Sequence, residues 1–151
     1  MANKEANVIL VFRKMPGGRE FLFGKGSPTK KVAANKIVPP GGKRKNDEEL
    51  VIAAQRELRQ ETSIRADPSE FRHYGYFIGS ADGVGYKVDI FMVEVLPTAQ
   101  VRGCKEVSQW FWYHEKSIPW HEMMPDDKHW LEPILRGEKN LEIKLPSALP
   151  E

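Results

Sequence analysis

The sequence predicts a mixed α/β fold in which a sheet of several strands lies between helices. Three observations predict it. Short apolar and aromatic runs bounded by Gly and Pro recur along the chain, the signature of strands and turns. One long amphipathic stretch with helical spacing, residues 47–62, interrupts them. A second helical stretch, residues 127–136, comes late, before a last short apolar run.

Taken in order, Asn7–Phe12 (NVILVF) is a buried strand, and Glu20–Phe23 is the next, joined through Pro16-Gly17-Gly18. Residues 24–36 are polar and lysine-rich without periodicity and predict a loop. Ile37-Val38-Pro39-Pro40 leads into Gly41-Gly42 and then the helix from Asp47 to Thr62, with Asn46 and Glu49 spaced as a capping box. Asp67-Pro68 breaks the chain. Phe71–Ser80 and Tyr86–Leu96 flank Ala81-Asp82-Gly83-Val84-Gly85 as a hairpin. Trp110–Tyr113 is a further strand. Asp127–Arg136 is the second helix, bent at Pro133. Leu141–Leu145 closes the sheet and Pro146–Glu151 is a loose tail. No repeat and no linker divides the chain, so one domain spans residues 1–151.

Composition bounds the function. The chain has 151 residues, 40% of them apolar and 29% charged, an ordinary globular balance able to bury a core. A net charge of +2, with no basic run beyond Lys43–Lys45, argues against a nucleic acid polymer as partner. The single cysteine, Cys104, rules out an internal disulfide and fits a reducing compartment. No apolar run approaches membrane-spanning length, and MANKEANVILVF lacks a signal-peptide pattern, so a cytoplasmic protein without a membrane partner is expected, as monomer or homodimer.

The chemistry concentrates in the first helix. At about 100° per residue, Leu50, Val51, Ala54 and Leu58 form an apolar stripe, with Glu57 about 20° outside one edge and Glu61 within it. Arg56 and Arg59 fall on the far, solvent side. A carboxylate aimed into an apolar face costs several kcal/mol unless a cation or donor meets it. Residues four apart have Cβ atoms about 5–6 Å apart, so Glu57 and Glu61 can share a hard cation, and carboxylates suit Mg²⁺ or Mn²⁺. The glycines ahead of the helix let backbone groups approach a phosphate or metal closely. Lys43, Arg44 and Lys45 are either surface charge or a lure for polyphosphate.

These residues have the spacing of the Nudix box: glycine, five residues, glutamate, seven residues, then Arg-Glu-aliphatic-x-Glu-Glu-x-Gly-aliphatic. Gly42, Glu48, Arg56, Glu57, Leu58, Glu61 and Ile64 match; Gln60 stands in place of a glutamate and Ser63 in place of a glycine. The chain resembles the Nudix hydrolases, which implies an α/β/α sandwich with a mixed central sheet. The resemblance further implies Mg²⁺ held by Glu57, Glu61, Gln60 and the Gly41 carbonyl, with Arg56 orienting the acidic groups. Glu106 is then a late carboxylate serving as base or extra ligand. The activity implied is attack of an activated water on an internal phosphorus of a nucleotide, with Lys43 beside the phosphates.

A second segment, Ile118-Pro119-Trp120-His121-Glu122-Met123-Met124-Pro125-Asp126-Asp127 followed by Trp130, resembles the purine-reading segment of the MutT-like subfamily, whose mammalian member is an oxidised purine nucleoside triphosphate diphosphatase. By that resemblance Asp126 and Asp127 hydrogen-bond the purine edge while Trp130 and Met124 pack on it. The same residues also make a good helix start with a core tryptophan. Met124 replaces a stacking tryptophan, and Ile37-Val38 replaces a Trp-Asn pair, so an amide that reads the base is missing. Three functions follow as expectations: hydrolysis of a purine nucleoside triphosphate, oxidised or ordinary, to monophosphate and pyrophosphate; hydrolysis of ADP-ribose, a dinucleoside polyphosphate or a similar diphosphate; or nucleotide binding without turnover.

Overall fold

The computed structural model describes residues 3–29 and 33–150. Positions 30–32 of the expected loop, residues 1–2, and residue 151 of the expected tail lie outside the described residues. Eight strands and two α-helices follow in the order β1 (Lys4–Met15), β2 (Gly18–Gly26), β3 (Ile37–Val38), β4 (Gly41–Lys43), α1 (Leu50–Thr62), β5 (Arg72–Ala81), β6 (Val84–Glu94), β7 (Val107–His114), α2 (Asp127–Leu135) and β8 (Leu141–Lys144). Single 3₁₀ turns occupy Pro68–Glu70 and Trp120–Glu122.

All eight strands join one sheet, in which β3-β2-β1-β6-β5-β8 run side by side while β4 pairs with β1 and β7 with β2. The β1–β6 and β5–β8 pairs are parallel and the others antiparallel, so the sheet is mixed. Alternation along β1 sorts its side chains to two faces. Ile9 and Val11 pack with Ala54 and Leu58 of α1, and with Phe91 and Val93. Leu10 packs with Trp130, Leu131 and Ile134 of α2, and with Phe21, Phe23 and Ile90. A sheet with one helix on each face is the sandwich the sequence predicts. Among the described residues no helix is long and apolar enough to cross a membrane.

Several boundaries move, each for a local reason. Strand β2 runs on through Gly24, Lys25 and Gly26, because β3 and β7 pair with it on either side of residues that read as loop. The β5–β6 turn tightens to Asp82-Gly83, both at positive φ (52° and 76°) with Ala81 opposite Val84, the two-residue geometry that Asp-Gly favours. Helix α1 starts at Leu50, and no side chain caps it. The Asn46–Glu49 capping box does not form; instead Glu48 turns back to accept the Lys45 N–H at 3.0 Å. The tail is not loose as far as it is described: Leu145 is buried, and Ser147 is hydrogen-bonded to Ser80 and Asp126.

Helix α1 ends at Ser63, which sits at φ 65°, ψ 7°, with its N–H on the Arg59 carbonyl at 2.9 Å. A left-handed C-cap is glycine's usual place, and a serine there carries a Cβ penalty. Ser63→Gly is therefore expected to stabilise the fold by about 1 kcal/mol, seen as a rise in melting temperature of about 2–4 °C in a thermal unfolding scan.

Candidate active site

The long loop of strands β3 and β4 brings Gly41-Gly42 under helix α1. Gly41 pairs with Val8 and Gly42 with Asn7. A side chain at Gly41 would strike backbone, and one at Gly42 would have to push the Glu57 carboxylate aside. At Gly41, φ 157°, a Cβ would stand 2.2 Å from the Asn7 carbonyl oxygen. At Gly42 it would stand 2.4 Å from Glu57 Cδ and 2.6 Å from its Oε2, so the strand lies flush against that carboxylate. Glu61, buried, accepts the Gly41 N–H on Oε1 at 2.9 Å. The structure thus brings Glu57, Glu61 and Gly41 together, with the Gly41 N–H donated to Glu61. Trp110 of β7 donates its indole N–H to the Glu61 main-chain carbonyl at 3.2 Å, satisfying an acceptor of the helix's last turn.

Arg56 overturns one expectation. Placed on the solvent side by helical periodicity, its side chain is only 17% exposed. Nε and Nη2 fork onto Glu48 at 2.8 and 2.9 Å, Nη1 reaches Glu57 Oε1 at 2.8 Å and Gln60 Oε1 at 3.3 Å, and Nη2 also donates to the Lys43 carbonyl at 3.1 Å. A helical wheel places the Cα; a long guanidinium sweeps well beyond it. The Arg56 hydrogen bond, helped by the Lys45 N–H, holds the Glu48 carboxyl down at about 2, and the same bond pushes Arg56 up. Gln60 stays exposed as an amide partner of Arg56, and Lys43 is exposed. Glu106 is exposed just before β7, its main-chain carbonyl accepting the Ser27 N–H at 2.8 Å; no described contact joins its carboxylate to Glu57.

The second segment divides into core and site. Trp130, expected to stack on a base, is 0% exposed: it stacks on Phe77 at 5.1 Å and 17°, and its indole N–H donates to Asp127 Oδ1 at 3.1 Å. Its role is in the core, where it holds Asp127. Met123 is buried too and bridges Ile37, which sets the Ile37-Val38 strand beside the Met-Met-Pro-Asp-Asp turn. Met124 is half-buried, its carbonyl accepting the Asp127 N–H at 3.0 Å. Asp126, expected as a side-chain helix cap, makes no such bond and accepts the Ser147 N–H at 3.1 Å. Burial, with the Asp126 charge adding to it, pushes the Asp127 carboxyl up to about 6 against the Trp130 and main-chain bonds.

Sequence reasoning missed a polar row on the α1 face. Asn7 and Asp89 are neighbours in the β1–β6 register and are 4% and 2% exposed. Asp89 Oδ1 meets His73 Nε2 at 2.8 Å across the bulge between His73 and Gly75, while the Asn7 side-chain amide has no hydrogen-bond partner among the described residues. The signal was available: both are polar residues at inward positions of otherwise apolar strands. A cleft of about 1190 Å³, lined by Phe12, Arg19, Tyr74 and Met92 toward the other end of β1, includes neither Glu57, Glu61 nor Asp126.

A mixed sheet between two helices, with a Gly-Gly strand pressed on two glutamates a turn apart, is the arrangement that the box resemblance implies. The chain matches the NUDIX domain over residues 3–135 and belongs to the Nudix family. No curated protein matches it in sequence. Similar solved structures include an Ap4A hydrolase from C. elegans in a binary complex, with TM-score 0.64, 21% identity, and 75% of this chain and 81% of that chain covered. The NUDIX domain of Shewanella oneidensis NrtR complexed with ADP ribose has TM-score 0.64 at 13% identity, covering 76% and 74%. A MutT protein from Methanosarcina mazei has TM-score 0.61 at 22% identity, covering 77% and 81%. At these identities the likeness is one of fold.

Two outcomes follow from this geometry. Gly42→Ala displaces the Glu57 carboxylate, so kcat/KM for hydrolysis is expected to fall about 100-fold in steady-state assays while the circular dichroism spectrum is retained. Asp127 ordinarily titrates at 3.8 and here near 6, so the folded state binds its proton more tightly than the unfolded chain. The stability this confers is complete below the unfolded value and is lost as pH rises through about 6. Asp127→Asn keeps the acceptor for Trp130 without titrating. Relative to that variant, the wild type should lose on the order of 2 kcal/mol between acid and neutral pH, read by urea unfolding at pH 4 and pH 7.

Proposed function

We propose that the protein is a Mg²⁺-dependent nucleoside triphosphate diphosphatase acting on a purine nucleotide, oxidised or ordinary, and releasing nucleoside monophosphate and pyrophosphate. The observation that carries this reading is the pairing of two sites: Glu57 and Glu61 beside Gly41-Gly42, and Asp126-Asp127 at the start of α2, tied to the same loop by the Ile37–Met123 bridge.

The residues present suit a hard divalent cation. The donors are all oxygens, and Glu57 and Glu61 lie one helical turn apart; among the described residues no group of three or more His, Cys, Asp or Glu is gathered to hold a metal, so these two are the carboxylates available to the cation. Glu57 and Glu61 would hold the cation, with Gln60 at the rim as a neutral donor. When bound, such a cation supplies neutralisation of the phosphate charge and Lewis acidity. The chain's own part is positional: Arg56 fixes Glu57, the Gly41 amide fixes Glu61, and Lys43 offers an exposed cation to the polyphosphate. Asp127 presents a carboxyl that changes protonation near neutrality to the base edge.

A second reading keeps the enzyme and changes the substrate to a dinucleoside polyphosphate or ADP-ribose. It is favoured by Val38, which offers no amide to a base, and by structural neighbours described as an Ap4A hydrolase and as bound to ADP ribose. Chromatographic analysis of the products across a panel of ordinary and oxidised nucleoside triphosphates, dinucleoside polyphosphates and ADP-ribose separates the two, with pyrophosphate released only from the triphosphates. Glu57→Gln and Glu61→Gln are each expected to lower kcat on the order of 100-fold, and a chelator to abolish turnover. Full activity in either variant would remove the metal assignment.

A further inference from the structure

The C-terminal segment after β8 is fastened to the start of α2 at a specific point. The Leu145 N–H donates to the Ile78 carbonyl at 2.8 Å, carrying the β5 pairing one residue beyond the strand. Ser147 then makes three bonds. Its N–H donates to Asp126 Oδ2 at 3.1 Å, its Oγ accepts the Ser80 N–H at 3.2 Å, and its carbonyl accepts the Ser80 hydroxyl. Gly79 makes room for this: a Cβ there would lie 3.0 Å from Ser147 Oγ and 3.1 Å from Leu145 Cδ1. The contact is part-buried and joins residues 21 apart, so the tail's own backbone satisfies a carboxylate that would otherwise cap the helix or face a ligand.

We propose that Ser147 is a positioning residue for base recognition, its amide committing Asp126 to the tail and leaving Asp127 as the single carboxyl that meets the base. This rests on the reading of the Asp126-Asp127 turn as the base-reading element. Asp126 Oδ2 is held by the Ser147 N–H at 3.1 Å. Its charge, one residue from Asp127, favours the proton on the neighbour, whose carboxyl lies at about 6. Asp126 is thereby a fixed acceptor and Asp127 the adaptable group. The tail, far from the phosphates in sequence, then helps set which bases are accepted.

Two full-length variants test this. Ser147→Pro deletes the N–H that meets Asp126; Ser80→Ala removes the hydroxyl that holds the Ser147 carbonyl and so loosens the tail beside Asp126 while keeping the Ser147 N–H. KM and kcat are measured with Mg²⁺ on purine and pyrimidine nucleoside triphosphates, after melting curves establish folding. Loss of a hydrogen bond to a charged group predicts a rise in purine KM of about tenfold in Ser147→Pro. A smaller rise is expected in Ser80→Ala, with kcat and the pyrimidine KM unchanged. An unchanged purine-to-pyrimidine KM ratio in both variants overturns the role of Ser147, as does an equal loss for every nucleotide. Should Ser147→Pro not fold, the ratio in Ser80→Ala decides alone. Wild-type protein that hydrolyses no triphosphate, or does so without base preference, overturns the function proposed above and this inference with it.

Discussion

The arrangement of the site depends on Arg56, because it lets two carboxylates stand a turn apart beside an apolar sheet. Unit charges about 6 Å apart repel by about 3 kcal/mol at an effective dielectric constant of 20. Folding alone has no reason to accept that. Arg56 spreads one positive charge over Glu48 and Glu57, and the Gly41 amide takes a Glu61 oxygen. Glu48, the first glutamate of the box, therefore holds the arginine and does not need to face a ligand itself. Every contact is made by a side chain anchored in α1 or by the strand beneath it, so the carboxylates are set before any ligand arrives, which is what phosphoryl chemistry asks of a protein.

The strand beneath is as constrained as the helix. Gly41 and Gly42 pair with β1 while lying beside α1; a methyl group at Gly41 would strike the Asn7 backbone, and one at Gly42 would take the place of the Glu57 carboxylate. Two glycines in a strand ordinarily weaken it. Here they allow the backbone to pass between the Asn7 carbonyl and the Glu57 carboxylate. The departure at Ser63 works in the opposite direction: the position needs a left-handed backbone, and serine adopts it at a cost that the Arg59 carbonyl bond and the buried Thr62 and Ile64 on either side offset.

Much of this was legible because it is local. Alternation and turn chemistry marked the strand runs from Asn7–Phe12 to Trp110–Tyr113, and both helices showed in the 3.6 period. The box offsets named Gly42, Glu48, Arg56, Glu57 and Glu61 before any coordinate. What periodicity could not reach is direction and long-range partnership. It assigned Arg56 to solvent because it tracks Cα positions, and it left Gly24–Gly26 in a loop because their partners lie in β3 and β7. It called residues after Leu145 loose because the bonds holding Ser147 come from Ser80 and Asp126. Asn7 and Asp89 were hidden inside apolar runs, where one polar residue barely alters the pattern.

Trp130 ties the packing of the core to the carboxyl that opens α2. From sequence it was either a base-stacking ring or a core residue, and full burial against Phe77 places it in the core. Yet its indole nitrogen must find an acceptor when buried, and the one it finds is Asp127. The ring therefore fixes the carboxyl from beneath, in the same apolar surroundings that push its proton affinity up. A more exposed tryptophan would offer a stacking face and leave Asp127 mobile and ordinary in acidity. The chain has the opposite arrangement: it gives up a stacking surface and gains a rigid, readily protonated carboxyl at the start of α2. On the function proposed above, discrimination between bases rests on the placement of a few polar groups more than on aromatic area, the kind of contact whose loss leaves a buried partner unpaired and is costly for that reason.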